Sequence, residues 1–171
     1  MSNRVIIVGG GLNGAALALA LASAGQPSLL VDALPPETRA DPAFDGRAYA
    51  LALSSQRMLA ALGLWRELAD KAERIAHVKV ADGRPNSGVC GPHLHFNADE
   101  LDGEGAGFML EDRHLRPALL AAIAGQKLIT HLAPAKVVTQ NSGPNTASIT
   151  LDDGRKFEGA LLVGCDGRAS A

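Results

Sequence analysis

An α/β fold built on a parallel sheet, with an antiparallel meander late in the chain, is what this sequence predicts. Three observations predict it. A β-branched run, Val5-Ile6-Ile7-Val8, ends in glycines. An Ala/Leu-rich stretch from Leu12 to Ala24 follows, free of proline and stopped by Gly25. A second apolar run, Ser28-Leu29-Leu30-Val31-Asp32, comes next. Strand, glycine turn, helix and strand fit into the 28 residues from Val5 to Asp32. That is the size of one βαβ unit, whose right-handed crossover makes its two strands parallel.

The elements follow in order. Val5 to Val8 reads as a buried strand because it is continuously apolar and short. Leu12 to Ala24 reads as a helix with a glycine C-cap. Pro27 breaks the chain before the strand at 28–32. Pro35, Pro36 and Pro42 make Leu34 to Asp45 a loop. Ser54 or Ser55 is placed to cap a helix through Leu62, stopped by Gly63, and Trp65 to Glu73 continues helically. Ile75 to Ala81 alternates as a strand, and Asp82 to Gly107, rich in Gly, Pro, Asn and Asp, reads as a hairpin and loops. Leu115, Leu119, Leu120 and Ile123 recur at helical spacing within Asp112 to Ala124. Short strands follow at 127–131, 136–140, 147–151 and 156–158. The last three are joined by turns at 141–145 and 152–155 and read as an antiparallel meander. Ala160 to Gly164 is a final apolar strand before Cys165-Asp166-Gly167-Arg168.

Composition excludes several function classes. Lys plus Arg is 16 and Asp plus Glu is 18, a net charge of −2, so charge alone does not hold nucleic acid. Aromatics are 4%, too few for a base-stacking platform, and 47% hydrophobic residues exclude wholesale disorder. Cys90 and Cys165 form no Cys-x-x-Cys, so a disulfide framework or zinc site is not expected and a reducing cytoplasm fits; apolar core thiols are the plain reading. The longest strictly apolar run, Ala15 to Ala22, is far short of a membrane span. Arg4, the apolar stretch and Ala22-Ser23-Ala24 mimic a signal peptide, but Gly9, Gly10, Gly11, Asn13 and Gly14 interrupt its core. Among His77, His93, His95, His114 and His131, only His93-x-His95 shares a strand face, and no third ligand accompanies it, so no metal is expected.

The glycines carry the chemistry. Gly9-Gly10-Gly11-Leu12-Asn13-Gly14 matches Gly-x-Gly-x-x-Gly. Glycine is 19 of 171 residues, so the spacing alone is weak, and its context decides. It ends a strand and opens a helix. The first glycine permits the turn, the second lets a pyrophosphate approach the backbone, and the third lets helix and strand pack. The helix N-terminus then offers N–H groups and a positive dipole end to phosphate. Asp32 ends the next strand 18 residues after Gly14, where a carboxylate accepts from both ribose hydroxyls and repels a 2′-phosphate. Leu12, Asn13 and Ala33 complete the expected cradle. Of five Asp-Gly pairs, only Asp166-Gly167 comes directly off an apolar strand, which puts Asp166 at the carboxyl edge of the sheet.

Residues 8–18, Val-Gly-Gly-Gly-Leu-Asn-Gly-Ala-Ala-Leu-Ala, resemble the FAD-binding start of the class A flavoprotein aromatic monooxygenases. The stretch 44–51, Phe-Asp-Gly-Arg-Ala-Tyr-Ala-Leu, followed by Ser54-Ser55, Leu59 and Leu62-Gly63-Leu64-Trp65, is most similar to their ubiquinone-biosynthesis hydroxylase branch. Residues 111–120 resemble its next helix start, and residues 161–170 its Asp-Gly fingerprint. The resemblance covers essentially the whole chain. It implies a Rossmann-like FAD/NAD(P)-binding domain whose third and fourth strands are joined by the meander. It makes residues 1–171 the N-terminal part of that domain, incomplete relative to the family. No Gly-Asp dipeptide occurs, so the second FAD motif and the substrate domain are missing.

The resemblance places Arg47 against the FAD pyrophosphate, Asp112 and Arg113 near the adenosine or phosphates, and Asp166 at the FAD and NAD(P)H region. Without the resemblance, Arg47 reads as a surface arginine and Asp112 as a first-turn acid. No catalytic residue is assigned. For the whole enzyme the resemblance implies hydroxylation of a small aromatic substrate, a polyprenylated phenol, with FAD as cofactor and NAD(P)H and O2 as co-substrates. By analogy it implies a cytoplasmic protein, peripheral to the inner membrane or held in a biosynthetic complex. Two alternatives stand beside it: a non-catalytic nucleotide-binding module, and an NAD-dependent Rossmann oxidoreductase. The short-chain type of the latter is excluded, because Tyr49 is the only tyrosine and Leu53 stands where its lysine belongs.

Overall fold

The computed structural model describes residues 3–43, 45–86, 88–89, 94–100, 105–144 and 146–167. In chain order the elements are β1 (Val5–Val8), α1 (Leu12–Ser23), β2 (Ser28–Val31), α2 (Pro36–Arg39), β3 (Ala48–Leu51), α3 (Leu53–Ala61), α4 (Trp65–Leu68), β4 (Ala72–Arg74), β5 (His77–Val80), β6 (Gly83–Arg84), β7 (Gly88–Val89), β8 (Leu94–Asn97), β9 (Phe108–Glu111), α5 (Asp112–Ala124), β10 (Ile129–Leu132), β11 (Val137–Ser142), β12 (Ala147–Leu151), β13 (Lys156–Gly159) and β14 (Leu161–Gly164). The chain divides into two compact units, one of residues 1–43 and 115–171, the other of residues 44–114.

The first unit is built on a four-stranded parallel sheet in the order β10-β2-β1-β14. Its central strands are apolar apart from Ser28 because both of their faces are covered. Ile6, Leu29 and Val31 sit on one face with Ile149, Leu151 and Ala135, so the meander β11-β12-β13 packs there. β12 shows why a meander fits: Ala147, Ile149 and Leu151 are buried and Ser148 and Thr150 are half-buried, the period-two pattern of a one-faced sheet. Ile7 and Leu30 have the opposite pleat parity and are fully buried on the other face. Each such side chain contributes roughly 1.5–3 kcal/mol of burial free energy. α1 packs on β1, β2 and β10 through a stripe of small residues, Gly14, Ala15, Ala18 and Ala22, with Leu19. The meander links the third strand, β10, to the fourth, β14, as the resemblance implied.

His131 lies on β10 opposite Leu30. Its Nε2 is buried with no hydrogen-bond partner among the described residues. Burial pushes its pKa below the ordinary 6.5, and nearby Asp32 opposes that shift. The folded chain therefore resists a proton that the unfolded chain accepts at about pH 6.5. Stability is full above about pH 6.5 and falls as the pH drops toward the lower folded value. Urea midpoints measured at about pH 7.5 and about pH 5.5 should differ more for the wild type than for His131→Gln. Equal differences would show that His131 does not contribute.

The second unit has an antiparallel sheet in the order β3-β9-β4 and two hairpins, β5-β8 and β6-β7. Leu59, Leu64, Leu68, Ala98 and Leu110 are buried apolar residues of this unit, and Trp65 meets Phe108 edge-on with ring centroids 4.9 Å apart. On β5-β8, the directly paired Val78 and Phe96, and Val80 and Leu94, are all exposed.

Several local expectations are corrected here. The proline-rich segment contains α2, because Pro36 at the first helical position needs no N–H partner and Glu37 suits the first turn. α3 begins at Leu53 with no side-chain cap, so neither Ser54 nor Ser55 caps it. Trp65 to Glu73 divides into α4, a 3-10 turn at Ala69–Lys71 and β4. β3 and β9 were not anticipated as strands; they exist because they pair with each other across the second unit. Phe44, Cys90, His93 and residues 168–170, which entered the motif and thiol readings, lie outside the described residues.

Candidate functional site

The β1–α1 turn is shaped by what each glycine touches. Gly9 has φ +107°, and its N–H donates to the Val31 carbonyl at 2.7 Å. A Cβ on Gly9 would lie 2.3 Å from the Cys165 carbonyl oxygen, and one on Gly14 would lie 1.9 Å from the Gly9 carbonyl oxygen. A Cβ on Gly10 would lie 2.5 Å from Asp32 Oδ2. Gly11 differs: a Cβ there would meet nothing within 4 Å. Three glycines thus close the turn onto its neighbours, and the fourth faces open space.

Gly11 is also the N-cap of α1, with no side-chain cap and no acidic residue in the first turn. The amides of Leu12, Asn13 and Gly14 begin a helix whose positive end meets no carboxylate of its own. Open space over Gly11 and uncapped amides beside it fit a doubly charged phosphate bridge.

Asp32 follows β2 at the carboxyl edge of the sheet. It is 3% exposed, its N–H donates to the Leu132 carbonyl at 2.9 Å, and its carbonyl accepts from Ala135 N–H at 2.8 Å. Its carboxylate accepts the Leu34 N–H at 3.2 Å on Oδ1. It also accepts Arg39 Nε at 2.8 Å on Oδ2 and Arg39 Nη2 at 2.9 Å on Oδ1. Ala33 is exposed beside it. Asp166 follows β14; its backbone nitrogen lies 2.6 Å from where a Gly9 Cβ would be, and it is exposed. Burial, reinforced by Asp166, pushes the half-buried Cys165 thiol up in pKa, so little thiolate forms at neutral pH.

The first unit therefore gathers Gly9, Gly11, Leu12, Asn13, Gly14, Asp32, Ala33 and Asp166 at one sheet edge. Arg47 and Arg113 belong to the second unit. Arg47 pairs with Asp45, which raises the Arg47 pKa, and its Nη2 lies 3.3 Å from Asp112 Oδ2. Arg47 in turn holds the Asp45 carboxyl below the usual range. Asp112 is 5% exposed, accepts Tyr49 Oη–H at 2.9 Å and donates its N–H to the Arg47 carbonyl at 3.0 Å. It is thus a buried anchor for the Arg47 segment, more than a first-turn acid. Arg113 Nε donates to Glu111 Oε2 at 2.5 Å. Arg113, Glu111 and His114 line an open groove of about 310 Å³ with Ala48, Lys71 and Met109.

Sequence reasoning missed two residues of the first unit. Gly10 occupies a free position of the motif, yet it lets the turn close on Asp32. The prolines read Arg39 into a loop, and the one signal for it is that it is the first cation after Asp32. His77 and His95 meet at 3.2 Å, Nδ1 to Nε2. Among the described residues no three His, Cys, Asp or Glu side chains are grouped to hold a metal ion.

A family model described as FAD binding domain matches residues 2–171. The chain is 38% identical over 166 residues to ubiquinone hydroxylase UbiL of Rhodospirillum rubrum, covering 97% of this chain and 37% of that protein. It is 28% identical over 169 residues to 3-demethoxyubiquinol 3-hydroxylase of Escherichia coli, covering 98% and 42%. Its fold is similar to that of PqsL, a probable FAD-dependent monooxygenase from Pseudomonas aeruginosa, with TM-score 0.73, 25% identity, and coverage of 99% of this chain and 44% of that one. The chain thus spans about two fifths of the length of these relatives.

Proposed function

This chain belongs to the FAD binding domain family, and from that premise we propose that it forms the adenosine- and pyrophosphate-binding part of a flavin-dependent aromatic hydroxylase. The substrate class we propose is a polyprenylated phenol of ubiquinone synthesis, with NAD(P)H and O2 as co-substrates. Relatives named as a ubiquinone hydroxylase and a 3-demethoxyubiquinol 3-hydroxylase support that class. The single observation that carries the reading is the space over Gly11 beside the uncapped start of α1.

Each residue has a binding role. Amides of Leu12, Asn13 and Gly14 hold the pyrophosphate, with Gly11 giving it room and Gly9 and Gly14 holding the turn. Asp32 accepts from the ribose hydroxyls, and Ala33 leaves the adenine edge uncrowded. Asp166 borders the turn from β14. On the second unit, Arg47, anchored through Asp112, and Arg113 carry cationic forks of the kind that bind phosphate oxygens. FAD, once bound, supplies the redox chemistry that no side chain supplies. A lipid-like substrate suits peripheral membrane or biosynthetic-complex association. Among the described residues no helix is long and apolar enough to cross a membrane.

Equilibrium dialysis and thermal shift with FAD, FMN and NAD+ test the reading. FAD should bind in the micromolar range and raise the melting temperature; FMN, which lacks the adenosine half, should bind more weakly. Binding of NAD+ in preference to FAD would replace the reading with an NAD-dependent oxidoreductase.

A further inference from the structure

Asp32 is expected to clasp a ribose, yet its carboxylate is already engaged. Arg39 presents Nε and Nη2 side-on, one to each oxygen, at 2.8 and 2.9 Å. A vicinal diol would approach a carboxylate in the same two-pronged way. The rest of the carboxylate is crowded as well. Oδ2 lies against the Gly10 backbone, where a Cβ would come within 2.5 Å, and Oδ1 also accepts the Leu34 amide. A ribose that used both oxygens of Asp32 would meet the Arg39 guanidinium.

The segment carrying Arg39 contributes nothing to the core. It is the last residue of α2, a four-residue helix with no buried residue. The Arg39 side chain is 24% exposed and the Asp32 side chain 4%. Displacing Arg39 uncovers Asp32 without opening the core of the first unit.

We propose that Arg39 is an intramolecular stand-in for the ribose diol, a latch on Asp32 that the adenosine half of FAD must displace. The inference rests on the proposed FAD reading. While the latch is shut, Asp32 carries a paired charge and the turn at Gly10 stays braced. The apparent affinity for FAD is then the intrinsic affinity reduced by the fraction of molecules with the latch open.

The test is a titration of wild type, Arg39→Ala and Arg39→Lys with FAD and with FMN, read by equilibrium dialysis and thermal shift. The alanine variant should bind FAD about three- to tenfold more tightly. Its ligand-free melting temperature should fall, because a buried carboxylate loses its fork, so the shift on adding FAD should grow. Lysine keeps the charge but not the fork and should lie between; it carries the test if the alanine variant does not fold. FMN binding should not change. Unchanged or weaker FAD binding by both variants, with wild type binding FAD, overturns the latch alone. Absence of FAD binding by all three overturns the FAD reading together with it.

Discussion

Gly14→Ala should unfold the first unit or leave it badly destabilised. The added Cβ would lie 1.9 Å from the Gly9 carbonyl oxygen, 3.1 Å from the Gly9 carbonyl carbon and 3.3 Å from Cys165 Cβ. The first two are backbone atoms, so no rotamer change relieves the clash. Gly9 cannot retreat, because its N–H is bonded to Val31 at 2.7 Å and it already abuts the Cys165 carbonyl. α1 would have to lift away, taking Ala15, Ala18, Leu19 and Ala22 from their buried positions. Overpacking costs about 1–3 kcal/mol where side chains yield, and more where backbone must. Against a domain stability of about 5–15 kcal/mol, that is a large fraction. Urea denaturation followed by circular dichroism reads it. A midpoint equal to that of the wild type would show that helix and turn are not in contact as described.

Gly11→Ala should have the opposite signature: a normal fold that no longer holds FAD. Gly11 has φ −66° and ψ −172°, which any residue adopts, and its Cβ would meet nothing of the protein within 4 Å. The melting temperature without ligand should stay within about 2 °C of wild type. The methyl group would stand where the pyrophosphate approaches the backbone, next to the amides of Leu12, Asn13 and Gly14. A loss of about 1–3 kcal/mol, roughly five- to 150-fold in Kd, is the scale for a methyl forced into a close contact. Equilibrium dialysis with FAD reads the loss. Wild-type affinity in this variant would show that the cofactor does not lie over Gly11. The two substitutions add the same methyl group three residues apart, and only the local backbone makes their outcomes differ.

Much of the first unit was legible before its structure was known. β1, the glycine turn, α1 and β2 are consecutive, and each boundary is marked by a residue type, Gly9, Gly25 or Pro27. The meander was legible because its turns carry Gly and Asp, as at Asp153-Gly154, where Gly154 has φ +85°. β3 and β9 were not legible. Ala48 pairs with Glu111 and Leu51 with Phe108, partners more than fifty residues apart, and neither four-residue strand carries a periodic signal of its own. The role of Asp112 was equally hidden. As a first-turn acid it needs no partner, but the β3–β9 pairing brings Tyr49 and Arg47 to it and buries it.

The amino-acid order by itself determined the βαβ unit, the glycine turn, the position of Asp32 at a strand end and the meander. Each rests on conformational preferences of neighbouring residues, which act over one turn or one strand. Only the tertiary structure decided which glycine stays open, that Gly10 seats against Asp32, and that Arg39 already fills the two-pronged site of that carboxylate. Those facts depend on which atoms meet once the chain has returned on itself. A backbone propensity carries no record of such contacts.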